Sequence, residues 1–194
     1  MTYELSPRLV VIGTSMGGLH ALGIVLSRLG ADFALPVAVV QHRGTDGDAS
    51  TLTRLLQLRC VLPVSEANDK EPIVGGHVYL APPDYHLLVD GARFALSTEA
   101  RVQHARPSID VLFESAADVF GARTLGVVLT GANADGAAGA ACIKRRGGHV
   151  VAQDPATAEA PQMPTAAIGT GAVDRVLTLD EIGGYINVAA SDER

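Results

Sequence analysis

The sequence predicts an α/β fold: a doubly wound, mostly parallel sheet, a Rossmann-like three-layer sandwich with one β-hairpin excursion. Three observations predict it. Short β-branched runs are apolar throughout rather than alternating, as strands covered on both faces must be. Between them the apolar period lengthens to that of a helix, so strand and helix alternate along the chain. A chain of 194 residues, 47% of them hydrophobic, can bury one sizeable core, and about 100–200 residues is the usual length of one domain. A single domain over 1–194 is expected, with its core at about 8–186 and frayed ends at Met1 to Pro7 and Asn187 to Arg194.

The elements follow in order. Leu9-Val10-Val11-Ile12, closed by Gly13, reads as a buried strand. Leu19, Leu22, Val25, Leu26 and Leu29 then form one helical stripe, with Gly30 as its stop. Pro36 to Val40 is a second buried strand, and Ala49 to Leu58 a helix turning Leu52, Leu55 and Leu56 inward. Val61 to Ser65 and His77 to Ala81 are short strands, the second ended by Pro82-Pro83, because proline cannot donate to a ladder. His86 to Val89 and Arg93 to Leu96 flank Asp90-Gly91, a strong hairpin signal. Pro107 to Phe120 is a helix facing inward through Ile109, Leu112, Phe113, Ala116 and Phe120. Leu125 to Leu129 is a strand, Gly136 to Arg146 a close-packing Ala/Gly helix, and His149 to Ala152 a strand after Gly147-Gly148. Ala172 to Leu177 is the last strand, and Leu179 to Ile186 a short helix.

Composition narrows the function. Fifteen Lys plus Arg against 21 Asp plus Glu give a net charge of −6, which disfavours a dedicated nucleic-acid binder. No apolar run approaches the ~20 residues of a membrane helix, and Met1 to Pro7 lacks the plan of a signal peptide. A cytoplasmic protein without membrane insertion is expected. Cys60 and Cys142 make neither a disulfide framework nor a Cys-rich metal site, and no histidine or acid pair shows a zinc-like spacing.

Ligands of such sheets bind beyond the carboxyl ends of the strands. The first strand delivers Gly13-Thr14-Ser15-Met16-Gly17, which fits the G-x-S-x-G elbow. A sharp strand-to-helix turn there lifts the Ser15 hydroxyl clear of the sheet, and the Met16 N–H can face an oxyanion. A phosphate- or dinucleotide-binding turn also wants glycines at this place. A dinucleotide site expects an acid about 20 residues on, to hold the ribose. The second strand ends instead in Gln41-His42-Arg43-Gly44. His42 is placed to take a proton from Ser15, although a lone histidine at a loop tip reads first as a solvated side chain, since nothing local forces a role on it. Thr130-Gly131-Ala132-Asn133-Ala134-Asp135-Gly136 leaves the strand at Leu125 to Leu129, and Asp135 can orient His42. Asp135 also precedes the Ala-rich helix as an N-cap, a role that an amide would fill nearly as well. His77, His86 and His149 read as structural hydrogen-bonding groups, His20 as an exposed helix residue, and Cys142 as a small packed side chain.

Val11-Ile12-Gly13-Thr14-Ser15-Met16-Gly17-Gly18 with Val39-Val40-Gln41-His42 resembles the catalytic domain of the chemotaxis protein-glutamate methylesterases (CheB type). The resemblance runs on through Val78 to Pro82, Arg106 to Phe113, Leu129-Thr130-Gly131 with Asp135-Gly136-Ala137, Gly147-Gly148, Ala152-Gln153-Asp154 and Met163 to Ile168. It covers roughly Arg8 to Ile182. It implies hydrolysis of γ-glutamyl methyl esters, and deamidation of certain glutamines, on the cytoplasmic helices of chemoreceptors. It implies Ser15 as nucleophile, His42 as general base and acid, and Asp135 as orienting carboxylate, with Thr14 and Gln41 shaping the site and no cofactor or metal. The family reads L-T-G-M-G-x-D-G at the acid loop, where this chain has Ala132 and Asn133. Ala132 can still offer a backbone N–H, and Asn133 must take up any positive φ that glycine accommodates. Many members carry an N-terminal phospho-receiver domain, for which the residues before the first strand leave no space, so control, if any, is expected from a separate regulatory protein or from substrate access. Rival readings are a triad hydrolase of another esterified or amidated protein, an impaired scaffold member of the family, and a nucleotide-binding domain.

Overall fold

The computed structural model describes residues 8–42 and 49–191. Its strands are β1 (Leu9–Thr14), β2 (Val37–Gln41), β3 (Val64–Glu66), β4 (Val78–Leu80), β5 (His86–Asp90), β6 (Arg93–Ser97), β7 (Thr124–Val128), β8 (His149–Gln153) and β9 (Arg175–Leu177). Its helices are α1 (Gly18–Ser27), α2 (Ala49–Gln57), α3 (Ile109–Phe120), α4 (Ala137–Arg145), α5 (Gln162–Gly169) and α6 (Leu179–Ser191). Seven strands form one sheet in the order β3-β4-β2-β1-β7-β8-β9, every pairing parallel. The excursion is the antiparallel pair β5-β6, turning at Gly91 with φ 58°.

Alternation along each strand feeds two cores. Val10 and Ile12 of β1 and Val37 and Val39 of β2 pack with α1, α2 and α6. Leu9 and Val11, with Ala38 and Val40, pack on the other face with α3, α4, α5 and the hairpin. The chain leaves β1 toward β2 and later returns to β7 on the opposite side of β1. The strand order therefore reverses between β1 and β7, the place where doubly wound sheets open a crevice.

Several expectations are corrected. Leu19 and Leu55 do not face the core; they are 41% and 38% exposed, because each lines the cleft described below. The strand expected at Val61 to Ser65 is only Val64–Glu66, since Val61 is exposed and Pro63 cannot donate. The last strand is confined to Arg175–Leu177. Helix α5 was not expected: Pro161 and Pro164 look like breakers, yet both sit at or before its first turn, where no N–H partner is needed. The C-terminal helix runs past Ile186, and Asn187 hydrogen-bonds the carbonyl of Arg28 instead of beginning a frayed end. Met1 to Pro7, Arg43, Gly44 and the last part of the expected frayed end, Asp192 to Arg194, lie outside the described residues.

Candidate active site

Ser15, His42 and Asp135 follow β1, β2 and β7, three adjacent central strands. The turn carrying Ser15 is stitched to its neighbours. The Ser15 N–H donates to the Thr130 carbonyl at 2.9 Å, and the Thr14 hydroxyl, fully buried, donates to the same carbonyl at 2.8 Å. The Thr130 hydroxyl donates to the Met16 carbonyl at 2.9 Å. Gly17 adopts φ 77° and turns the chain into α1, a conformation that a side chain would strain. Gln41 joins the first and second tips: its amide donates to the carbonyls of Ser15 at 2.8 Å and His42 at 2.9 Å. The His42 N–H donates to the Thr14 carbonyl at 3.0 Å.

His42 Nε2 lies 2.7 Å from Asp135 Oδ2, with the histidine side chain 12% exposed and the carboxylate at 0%. That carboxylate takes three further donors. Ser108 Oγ at 2.9 Å and the Asp110 N–H at 3.0 Å reach Oδ1, and the Ile109 N–H at 2.7 Å reaches Oδ2. Burial pushes the Asp135 acid up, but the His42 ring and the N–H groups of Asp110 and Ile109 outweigh it and hold it below the usual carboxylate range. An ionised Asp135 accepts only, so Nε2 of His42 carries the ring proton that points at it.

The expected capping role of Asp135 is overturned. It does not cap α4, whose N-cap is Gly136; it caps α3 by accepting the Ile109 and Asp110 N–H groups. Asp110, in the first turn of α3, returns the exchange: its Oδ1 accepts from Gly136 N–H at 2.9 Å and Gly139 N–H at 2.7 Å at the start of α4. Gln103 donates to the other oxygen at 2.8 Å. The two N-termini thus trade carboxylates, since each leaves N–H groups without helical partners and attracts negative charge. Burial, together with the Asp135 charge, pushes the Asp110 acid up to about 6.

The acid loop departs from expectation at Asn133. Among the described residues the non-glycine positions with positive φ are Lys70, Asp84, Gln103 and His104, so Asn133 takes up no left-handed backbone. Its Oδ1 accepts the Asp135 N–H at 3.1 Å, and its Nδ2 lies 3.2 Å from His42 Nδ1. Ser15 Oγ makes no hydrogen bond among the described residues. The Met16 and Ala132 N–H groups are likewise unengaged among them, whereas the Gly131 N–H is spent on the Ala160 carbonyl at 2.9 Å.

A cleft of about 600 Å³ opens beside Ser15, lined by Gly17, Leu19, His20, Gln41, Leu55, Leu58, Arg59 and Glu159 among others. His20 is exposed there, as expected of it. His86 is structural: its Nδ1 accepts the Ser108 N–H at 3.2 Å, and Nε2 donates to the Ala100 carbonyl at 3.1 Å. Sequence reasoning did not find Ser108, Asp110, Thr130 or Glu159 at this site. Ser108 and Asp110 stood in the quoted Arg106 to Phe113 run, but only as a helix start; nothing local says that they reach across to another loop.

Three comparisons bear on this arrangement. The family model for CheB methylesterase matches residues 10–186. A relative from Leptospira interrogans, carrying a provisional name for the two activities given next, is 46% identical over 94% of this chain and 92% of its own length. The protein-glutamate methylesterase/protein-glutamine glutaminase 2 of Caulobacter vibrioides is 43% identical over 91% of this chain; the match spans 52% of that longer relative. Among solved structures, the crystal structure of the Thermotoga maritima CheB methylesterase catalytic domain superposes with a TM-score of 0.89 at 34% identity, covering 95% of this chain and 99% of that one. With the sheet order, the converging strand tips and these matches in agreement, the chain belongs to the CheB methylesterase family.

Proposed function

We propose that this chain is a hydrolase of protein glutamyl γ-methyl esters, and of certain glutamine amides, working as one catalytic unit with Ser15 as nucleophile. The observation that carries the reading is the 2.7 Å contact between His42 and a fully buried, ionised Asp135, at the strand tip beside a half-buried serine whose hydroxyl makes no hydrogen bond among the described residues. The buried carboxylate fixes the proton on Nε2, which leaves Nδ1 as the basic nitrogen. Nδ1 takes the Ser15 proton as Oγ attacks the γ-carbonyl. The imidazolium that forms is stabilised by Asp135. The tetrahedral oxyanion sits toward the Met16 N–H, the Ala132 N–H and the N-terminus of α1, where developing negative charge is favoured. His42 returns its proton to the departing methoxide, so methanol leaves. Water then attacks the acyl-enzyme by the same route and frees the glutamate carboxylate.

Thr14 and Gln41 hold the turn but do not touch the reacting atoms. The substrate in this reading is a methylated helix of a chemoreceptor's cytoplasmic part, presenting its glutamyl ester at the cleft beside Ser15, and the reaction belongs in the cytoplasm. Methanol release from a methylated receptor fragment, with stoichiometric labelling of the serine, is the test. The wild-type protein should do both, and Ser15→Ala should do neither while unfolding at the same temperature. Turnover by Ser15→Ala above a tenth of wild type would remove the serine from the mechanism.

A further inference from the structure

We propose that Asn133 is a positioning residue that competes with the Ser15 hydroxyl for Nδ1 of His42, so that the resting site is latched with its base occupied. The inference rests on the reading of Ser15 as nucleophile and His42 as base. Its geometry is over-determined. The Asp135 N–H can only donate, so the Asn133 atom 3.1 Å from it is the amide oxygen. The other end of that amide, 3.2 Å from Nδ1, is therefore the NH2 group. On the far side of the ring the buried Asp135 carboxylate accepts from Nε2. Both constraints demand the same neutral tautomer, with the lone pair of Nδ1 directed at Asn133. Ser15 Oγ correspondingly has no hydrogen-bond partner among the described residues.

The latch must open in every turnover. When the proton of Ser15 passes to Nδ1, and the Oγ–carbon bond forms, Nδ1–H meets the NH2 of Asn133, one donor against another. Turning the amide over in place would set its NH2 against the Asp135 N–H instead. The side chain must swing out, and it is free to do so, because Asn133 is exposed and the Asp135 N–H is its one other hydrogen-bond partner among the described residues.

Two substitutions separate competition from support. Asn133→Ala clears Nδ1. Asn133→Asp keeps an oxygen for the Asp135 N–H but sets a carboxylate against Nδ1, which favours a ring protonated on both nitrogens and unable to accept. A fluorophosphonate reads the step directly: the Ser15 Oγ–phosphorus bond forms, fluoride leaves, and the proton goes to Nδ1. Labelling of Asn133→Ala should be about two- to five-fold faster than wild type, the worth of one neutral hydrogen bond. Labelling of Asn133→Asp should be about ten-fold slower or more. A merely structural role for Asn133 gives the reverse order, with the alanine variant slow and the aspartate variant near wild type. In ¹⁵N-histidine spectra of the Ser15→Ala background, where no serine hydroxyl can take the place of the amide, the Nδ1 resonance of His42 should move downfield on adding Asn133→Ala, as a lone pair released from a hydrogen bond does. An alanine variant no faster than wild type, or an unmoved Nδ1 resonance, overturns the proposal. A wild-type protein that takes no label overturns the nucleophile reading and the competition with it; the Nδ1 resonance then tells a misassigned serine from an absent amide contact.

Discussion

Asp135→Asn separates what the acid does for the fold from what it does for the base. The carboxylate is fully buried and has four donors, two on each oxygen. An amide can satisfy three of them. With its oxygen in the Oδ2 position it still accepts from His42 Nε2 and the Ile109 N–H. Its NH2, in the Oδ1 position, can donate to Ser108 once that hydroxyl rotates to accept, but it meets the Asp110 N–H donor to donor. The opposite orientation is worse, since it sets the NH2 against the Ile109 N–H and forces His42 into the other tautomer. The substitution therefore orphans one buried N–H and removes the charge from the start of α3, together about 2–3 kcal/mol. For a chain of this size that lowers Tm by about 4–12 °C. The tautomer survives, but the imidazolium loses its counter-charge, so turnover should fall on the order of 10³–10⁴-fold. Thermal unfolding and methanol release measured on one preparation check both halves. An unchanged Tm would refute the cap exchanged onto α3, and turnover above a tenth of wild type would refute the orienting role.

Three further outcomes are expected. Gln41→Ala cuts the tie between the Ser15 and His42 carbonyls; kcat should drop about 10²-fold with little change in Tm, and a loss confined to KM would place Gln41 on the substrate instead. A Cβ on Gly131 would stand 2.5 Å from Met163 Cε and 3.0 Å from Ser15 Cβ, so Gly131→Ala should cost about 1–3 kcal/mol by overpacking and slow serine labelling, whereas a variant as stable and as fast as wild type would show that the loop yields freely. Asp110, pushed up to about 6 from the usual 3.8, binds its proton more tightly folded than unfolded, so its contribution to stability is present at low pH and is lost as pH rises through that window; urea unfolding should show wild type losing ground to Asp110→Asn between pH 4 and pH 6, and the opposite slope would sink the assignment.

The strands that position the site were legible because parallel strands buried on both faces leave unbroken apolar runs, as in Leu9 to Ile12 and Leu125 to Leu129. Their tips then named Ser15, His42 and Asp135 by simple succession. What stayed hidden depends on contacts across the chain. Periodicity marks Leu19 and Leu55 as apolar positions of their helices, but a helix face turned to a cleft has the same period as one turned to a core. The prolines at 161 and 164 obscured α5, because a residue that breaks a helix in its interior is harmless in its first turn. Asn133 was legible only as a departure in backbone terms; that its amide would reach His42 required the loop's path.

The capping exchange explains why the acid can be both buried and ionised. A lone carboxylate at 0% exposure would be driven neutral, and a neutral acid could neither fix the Nε2 proton nor meet an imidazolium. The solution lies in the backbone: the N-terminus of α3 supplies donors that have no other partner, and Asp135 satisfies them by leaving its own helix uncapped. Asp110 then fills the gap at α4, at the expense of a raised pKa, so the strain of two buried acids falls on the one that does not touch His42. The arrangement makes the position of Asp135 a property of the packing of α3 against α4 rather than of its loop. Substitution of Ala132 or Asn133 should therefore leave the carboxylate in place, because its four donors come from Ser108, Ile109, Asp110 and His42 and none from that loop.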